Sequence, residues 1–114
     1  MLDNDMVRLH HILDAAHEAV AFSQGHSGKD LYSDRMLSLS LVRLLEIIGE
    51  AARGISPACR AADPEIAWQK MAGMRDRLVH GYFDINLDVV WETVTADLPP
   101  LVSQLENIIS LEKD

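Results

Sequence analysis

The sequence predicts an all-α protein, an antiparallel bundle of four main helices formed by a single domain over residues 1–114. Apolar residues recur at three- and four-residue steps in four stretches, which is the spacing of one helix face. No stretch alternates apolar and polar residues in the manner of a strand. The chain is 48% hydrophobic but only 5% aromatic, so its core is expected to be aliphatic.

The first helix is predicted to begin after the acidic N-terminus. Asp3, Asn4 or Asp5 would cap it, because a short side-chain acceptor satisfies free N–H groups in the first turn. Gly25 is expected to end this helix, and residues 25–30 are expected to form a loop. The apolar stripe of the helix comprises Met6, Leu9, Leu13, Ala16 and Val20.

The second helix is predicted from about Asp34 to Arg53, with an unusually broad apolar arc. One neighbouring helix does not cover such an arc, so this helix is expected to be central or to face both its own core and another subunit. A solvated or interfacial strip holds Arg43, Glu46, Glu50 and Arg53. The apolar arc comprises Leu37, Leu41, Val42, Leu44, Leu45, Ile48, Ala51 and Ala52.

The third helix is predicted from about Pro64 to Val79, because proline suits the first position of a helix. The connection before it is expected to contain one helical turn after Pro57. Gly81 is expected to break the helix, and a short loop follows it.

The last helix is predicted to be capped by Asn86 or Asp88 and to run to the C-terminal region. Its apolar stripe continues without interruption through Pro99 and Pro100. One long helix kinked at the prolines is therefore expected, although its second half can be counted as a fifth helix.

The net charge is −8 and the isoelectric point is about 4.9, which argues against broad electrostatic attraction to nucleic acid or anionic membranes. An enzyme that acts on nucleic acid would need a local basic patch. The single cysteine, Cys59, excludes an intrachain disulfide and a cysteine-based zinc site. The N-terminus lacks the pattern of a signal peptide, and no apolar run is long enough to span a membrane. A cytoplasmic location is expected.

Two arginines near the end of the third helix have different expected environments. At about 100° per residue, Arg75 falls within the apolar arc of that helix and Arg77 falls on its polar side. Arg77 is therefore expected to be solvated. Arg75 would be either a functional group or the partner of a structural ion pair, for instance with Glu46 or Glu50.

His80 follows Arg75 by five residues. The two side chains would diverge by about 140° on a regular helix, so a direct pairing within one chain is awkward. It becomes easier if the helix unwinds before Gly81, or if two copies of the segment meet across a two-fold axis. Otherwise His80 is a capping residue at a helix C-terminus, where the dipole stabilises a cation.

A metal site is disfavoured. Di-metal carboxylate bundles need matched Glu-x-x-His pairs on two helices, and Asp14-x-x-His17 alone approximates one. His10 and His11 are the other candidate ligands.

The segment RDRLVHGYFDIN, which contains Arg75-x4-His80-x-Tyr82, resembles the signature of the HepT-like toxins of the HEPN superfamily. The stretches RLLEIIGEAA (43–52), PEIAWQKMAGMRDRLVHGYFD (64–84) and VVWETVTADLPPL (89–101) look like that family too. The resemblance therefore covers most of the chain. Asp76 falls where relatives often carry asparagine, and Asn86 falls where aspartate is common.

This resemblance implies a helical-bundle homodimer with metal-independent endoribonuclease activity and no cofactor. Arg75 and His80 would be the catalytic residues, brought together in two copies at the dimer interface, with Asp76 and Tyr82 in support. The protein would be the toxin of a toxin–antitoxin pair. Its antitoxin would be a minimal nucleotidyltransferase that silences it by adding AMP to Tyr82. The alternative is a non-catalytic helical dimer that binds a nucleotidyltransferase or a nucleotide.

Overall fold

The computed structural model describes residues 1–79 and 84–113. β pairing within these stretches consists of one isolated antiparallel bridge between Val79 and Ile85, so the predicted all-α class is confirmed. The helices are α1 (Asp3–Ser23), α2 (Asp30–Ser33), α3 (Arg35–Arg53), α4 (Pro57–Ala62), α5 (Trp68–Ala72), α6 (Met74–Leu78), α7 (Leu87–Glu92) and α8 (Leu98–Lys113), with a π-helical segment, Thr93–Asp97, between α7 and α8.

The side-chain cap predicted for α1 is wrong. Leu2 occupies the capping position in an extended conformation, and no side chain accepts a hydrogen bond there. Asp5 instead accepts hydrogen bonds from the backbone N–H of Ser56, at 2.8 Å, and from its hydroxyl, at 2.6 Å. The carboxylate that was expected to cap α1 therefore joins the start of that helix to the residue that caps α4. The predicted stop is confirmed, because α1 ends just before Gly25, whose φ is +78°.

Helix α3 has the predicted bounds and the predicted central position. The side chain of Asp34 accepts a hydrogen bond from the N–H of Leu37 at 3.0 Å and caps the helix. The residues of its broad apolar arc are all buried, packed within the same chain against α1 on one side and α5 and α6 on the other. Gly49 lies at the contact with α5, where an added Cβ would stand 3.0 Å from the carbonyl oxygen of Met71. The small residue thus permits a close approach.

The single helix predicted from Pro64 to Val79 is wrong. Helicity begins at Trp68, whose indole N–H donates to the carbonyl of Asp63 at 2.9 Å, and it is broken at Gly73. Two features explain the break. Glycine is a weak helix former, and Arg53 of α3 donates from its Nε to the carbonyl of Ala72 at 2.9 Å. That arginine satisfies a carbonyl at the end of α5, where a helix normally leaves carbonyls unpaired.

The C-terminal region is helical without a gap from Leu87 to Lys113. Asn86 caps it as predicted, since its side-chain oxygen accepts from the N–H of Val89 at 3.2 Å. The irregularity expected at the two prolines lies just before them, in the π-helical segment, where the N–H of Leu98 bonds the carbonyl of Thr93. Prolines 99 and 100 lack N–H groups, so the carbonyls that precede them have no regular helical partners.

Contacts between helix ends give the relative directions of the long helices. The N-terminal amine of Met1 lies 3.8 Å from Glu112, so α1 and α8 run antiparallel. The bonds between Asp5 and Ser56 make α1 antiparallel to α3 in the same way. None of the helices in the described stretches is both long enough and apolar enough to cross a membrane.

Candidate active site on helix α6

Arg75 is exposed, which corrects the expectation that it lies in or beside a buried face. Its side chain is 63% accessible, and its Nε lies 4.0 Å from a carboxylate oxygen of Glu46 on α3. The buried positions of α6 are Met74 and Leu78. The break at Gly73 is the physical reason for the error, because it interrupts the regular rotation of about 100° per residue on which the predicted arc depended. The ion pair with Glu46 was one of the alternatives, and it is present.

Asp76 and Arg77 are exposed beside Arg75. The solvated position predicted for Arg77 is confirmed. The three consecutive polar residues of α6 thus face solvent between two residues that anchor the short helix in the core. The guanidinium of Arg75 is therefore accessible from solvent, although it lies near Glu46, while the backbone of α6 is fixed by its two buried residues.

Helix α6 ends before His80. Val79 is extended, with φ −116° and ψ 118°, and its N–H makes the last helical hydrogen bond, to the carbonyl of Arg75 at 2.9 Å. On the far side of the connection, the N–H of Asn86 donates to the carbonyl of Leu78 at 2.8 Å. The regular helix through His80 that made a pairing with Arg75 awkward is therefore absent. His80 and Tyr82 themselves lie outside the described residues.

Two side chains of helix α3 contact the segment formed by α5 and α6. Glu46 approaches Arg75, and Arg53, two turns later on the same polar strip, holds the carbonyl of Ala72. The role of Arg53 was missed. The seven-residue separation, which places Glu46 and Arg53 on one face of α3, is the signal that would have suggested a shared neighbour.

The candidate metal ligands of α1 do not converge. Within the described stretches no three histidine, cysteine or carboxylate side chains come together in a metal-binding arrangement. His17 instead lies 2.9 Å from Glu106 of α8 and forms an exposed contact between the two helices.

Comparison with known proteins identifies the family. The family described as "Ribonuclease HepT-like" matches residues 12–108, which include α3, α5, α6 and α7. The chain belongs to the HepT-like ribonuclease family. The resemblance carried by Arg75-x4-His80-x-Tyr82 and its flanking helices is thereby confirmed.

Curated relatives of this HepT-like chain carry ribonuclease names. A "Putative RNase" of Caldanaerobacter subterraneus subsp. tengcongensis is 37% identical over 92% of this chain and 94% of its own length. A "Probable ribonuclease HepT" of Thermococcus cleftensis is 40% identical over 70% of this chain and 73% of its own. A "Putative RNase" of Methanocaldococcus jannaschii is 33% identical over 86% and 90%. No solved structure gives a significant match.

Proposed function

We propose that the protein is a metal-independent endoribonuclease and the toxin of a toxin–antitoxin pair. Membership of the HepT-like family and the ribonuclease names of its relatives support the activity. The assignment of Arg75 and His80 as catalytic residues rests mainly on the exposure of Arg75. Its guanidinium lies on α6, which ends at Leu78, two residues before His80 in the sequence.

Arg75 and His80 provide the two groups that this cleavage of RNA requires, a proton acceptor and a cation that stabilises the phosphorane. The 2′-hydroxyl attacks the adjacent phosphorus and loses its proton to His80, whose ordinary pKa range suits proton transfer near neutrality. Arg75 binds the non-bridging oxygens and stabilises the charge of the phosphorane, because its guanidinium is planar and permanently charged. The bond from phosphorus to the 5′ oxygen then breaks, that oxygen takes a proton from solvent, and a 2′,3′-cyclic phosphate remains. Asp76, exposed beside Arg75, would support the site.

The cleavage assay tests this assignment with a matched control on the same helix. The wild-type chain is expected to cut RNA in EDTA, and Arg75→Ala and His80→Ala are each expected to abolish cutting. Arg77→Ala removes an equally exposed arginine of α6 and should retain activity. Cleavage that requires a divalent metal, or that survives both substitutions, would contradict the proposal.

A homodimer would bring two copies of Arg75 and His80 together. The homodimer implied by the resemblance to the HepT-like family supports this arrangement. The extended backbone at Val79 is compatible with it but would also ease an approach of the two residues within one copy. Sedimentation of the wild-type chain is expected to give a dimer, and mixing Arg75→Ala with His80→Ala chains should restore part of the activity if each site uses both copies. A monomer that is fully active would exclude this part of the proposal.

Tyr82 is proposed as the residue to which a partner nucleotidyltransferase adds AMP. A nucleotide attached two residues after His80 would add bulk and negative charge where the phosphate of RNA has to bind. Intact mass after co-expression with a minimal nucleotidyltransferase should show AMP increments that disappear in Tyr82→Phe. Tyr32, the other tyrosine, is exposed and donates to Asp88 at 2.6 Å, so Tyr32→Phe is the control and should keep the increments.

The alternative is a non-catalytic helical dimer that binds a nucleotidyltransferase or a nucleotide. The net charge of −8 favours it, because RNA is repelled at long range by an acidic protein. This function predicts tight binding to the partner, no RNA cleavage, and normal growth of cells that express the chain alone. Growth arrest that depends on Arg75 and His80 would decide against it.

A further inference from the structure

A groove of about 430 Å³ lies between α1 and α3. It is called the α1–α3 groove here. Its charged and titratable lining consists of two arginines and a histidine against a single glutamate, so it is locally basic in a chain with net charge −8. The lining residues are Asn4, Val7, Arg8, His11, Arg43, Ile47, Glu50 and Ala51.

Among the described residues, the two arginines of the groove form no ion pair with a carboxylate, although Arg8 lies near Asp5. By contrast, Lys70 pairs with Asp97 at 3.1 Å and Arg75 approaches Glu46. Asp5, one turn before Arg8, directs both of its oxygens to Ser56. Both guanidinium groups therefore retain donors for an incoming anion.

Gly54 makes room for one of these guanidinium groups. An added Cβ at residue 54 would stand 2.7 Å from both Cδ and Cζ of Arg8, closer than such atoms approach. The backbone of Gly54, with φ −85° and ψ −5°, is one that any residue adopts. An alanine at residue 54 would therefore displace the flexible side chain of Arg8 from the end of α3 without straining the backbone.

The groove lies beside the edge that carries Arg75. Glu50 lines the groove, and Glu46, one turn earlier on α3, is the residue that approaches Arg75. One turn of an α-helix advances about 5.4 Å along its axis, so the groove and Arg75 border neighbouring parts of a single exposed strip. A ligand with more than one anionic group can meet both.

We propose that the α1–α3 groove binds backbone phosphates of the RNA strand at positions away from the bond that is cut. Arg8 and Arg43 each bind one of these phosphates, since a guanidinium group suits the bidentate recognition of phosphate. This inference rests on the proposed ribonuclease function and deepens it. It supplies the local basic patch that an acidic protein needs in order to hold RNA, and it makes the enzyme selective for strands over short fragments.

Steady-state cleavage of two substrates tests the groove. One substrate is an RNA strand of about 12 nucleotides, within the span of single-strand-binding sites, and the other is a dinucleotide that reaches Arg75 alone. Arg8→Gln and Arg43→Gln are each expected to raise KM for the strand about tenfold and to leave the dinucleotide unaffected. Arg35→Gln, which removes an exposed arginine at the start of α3, is the control and should resemble wild type.

Binding of a 2′-O-methyl strand, which lacks the attacking hydroxyl, separates failure of the groove from failure of the proposed function. Each arginine substitution is expected to lower the slope of log affinity against log salt by about 0.7, the value for one phosphate contact on a single strand. Binding of this strand that depends on both arginines, together with no cleavage of the unmodified RNA strand, would contradict the ribonuclease function and support the groove.

Two further variants probe the arrangement of the groove. Gly54→Ala keeps every charge and displaces Arg8, so it should raise KM for the strand, whereas Glu50→Gln should lower it. Cleavage by wild type with KM and salt slope unchanged in Arg8→Gln and Arg43→Gln would overturn the inference. Substitutions that dissociate a dimer instead of raising KM would also overturn it, because the groove would then be covered by a second copy.

Discussion

Helix α3 and the segment that follows it, residues 54–79, both carry apolar residues at helical spacing, yet only α3 is one continuous helix. It runs 19 residues from Arg35 to Arg53 with a side-chain cap at its start. The later segment is divided into α4, α5 and α6, none longer than six residues. In a long regular helix the direction of each side chain is fixed by its position, so the whole apolar arc is buried. In a series of short helices, each helix can present a different face to the core.

This difference determines how Arg75 is presented. In one regular helix Arg75 would have faced the core, but in the separate helix α6 it is 63% exposed while Met74 and Leu78 are buried. The continuous helix supplies the core, and the broken segment supplies an exposed cation on a short backbone held by its neighbours. Mutations in the two regions should therefore affect different properties.

The largest effect is expected from Leu45→Ala in α3. Leu45 is fully buried, and removing a large aliphatic side chain from a core destabilises a protein by about 2–5 kcal/mol. Urea unfolding followed by circular dichroism measures the change. Leu39→Ala, on the same helix but 48% exposed, is the control and should fall within about 0.5 kcal/mol of wild type. Similar losses in the two variants would mean that the arc is not the core of the folded protein.

The next effect is expected at the junction of the two regions. Asp5→Ala removes both hydrogen bonds to Ser56 and leaves the backbone N–H of Ser56 without a partner. This change should destabilise the fold by about 1–3 kcal/mol. Asp3→Ala, which alters an exposed carboxylate in the same turn, should change stability little. Equal losses in Asp3→Ala and Asp5→Ala would indicate a general charge effect.

The same carboxylate predicts a pH dependence. The hydroxyl of Ser56, with its backbone N–H and nearby Arg8 adding to the effect, lowers the pKa of Asp5 below its ordinary value of 3.8 despite burial. A lowered pKa in the folded state gives stability that is present above pH 3.8 and is lost as pH falls through the folded value. The difference in unfolding free energy between wild type and Asp5→Ala should therefore shrink only below about pH 4.

The parts of this fold that sequence predicts well are those fixed by local chemistry. Asp34 and Asn86 each bond an N–H three residues later, and Gly25 adopts the positive φ expected after a helix end. In each case the partners lie within a few residues of one another. The broad apolar arc of α3 is predicted equally well, because a regular helix of this length gives every side chain a defined direction about the axis.

The parts that were mispredicted depend on partners distant in sequence. Asp5 bonds Ser56, 51 residues away, and the break after α5 is matched by a hydrogen bond from Arg53, 19 residues before the carbonyl it meets. The local sequence pattern does not distinguish a carboxylate that caps its own helix from one that bonds a residue distant in sequence. The exposure of Arg75 follows from the break between α5 and α6, which the sequence pattern did not predict. The ion pair of Arg75 with Glu46 was one of two alternatives that the sequence left open.

A smaller effect is expected where the two regions touch. In Gly49→Ala the new Cβ would stand 3.0 Å from the carbonyl oxygen of Met71, which should cost about 1–3 kcal/mol, offset by up to about 1 from the better helix propensity of alanine. Gly73→Ala, where the nearest atom is 3.4 Å away and φ is −89°, should be neutral or stabilising by up to about 1 kcal/mol. Thermal unfolding compares them, and the reverse order would contradict the close packing at Gly49.

Glu46→Gln is expected to have the smallest effect on stability. It also gives the sharpest test of the difference between α3 and residues 54–79. The pair with Arg75 is 4.0 Å long with an exposed arginine, so its loss should change stability by no more than about 1 kcal/mol. If the broken segment serves to present Arg75 to RNA, the carboxylate of Glu46 competes with phosphate for the same guanidinium. Glu46→Gln should then lower KM for RNA severalfold with kcat little changed, and Glu18→Gln, an exposed carboxylate of α1, should not. A fall in kcat without loss of stability would show instead that Glu46 orients Arg75 for the reaction, and that α3 contributes to the chemistry as well as to the core.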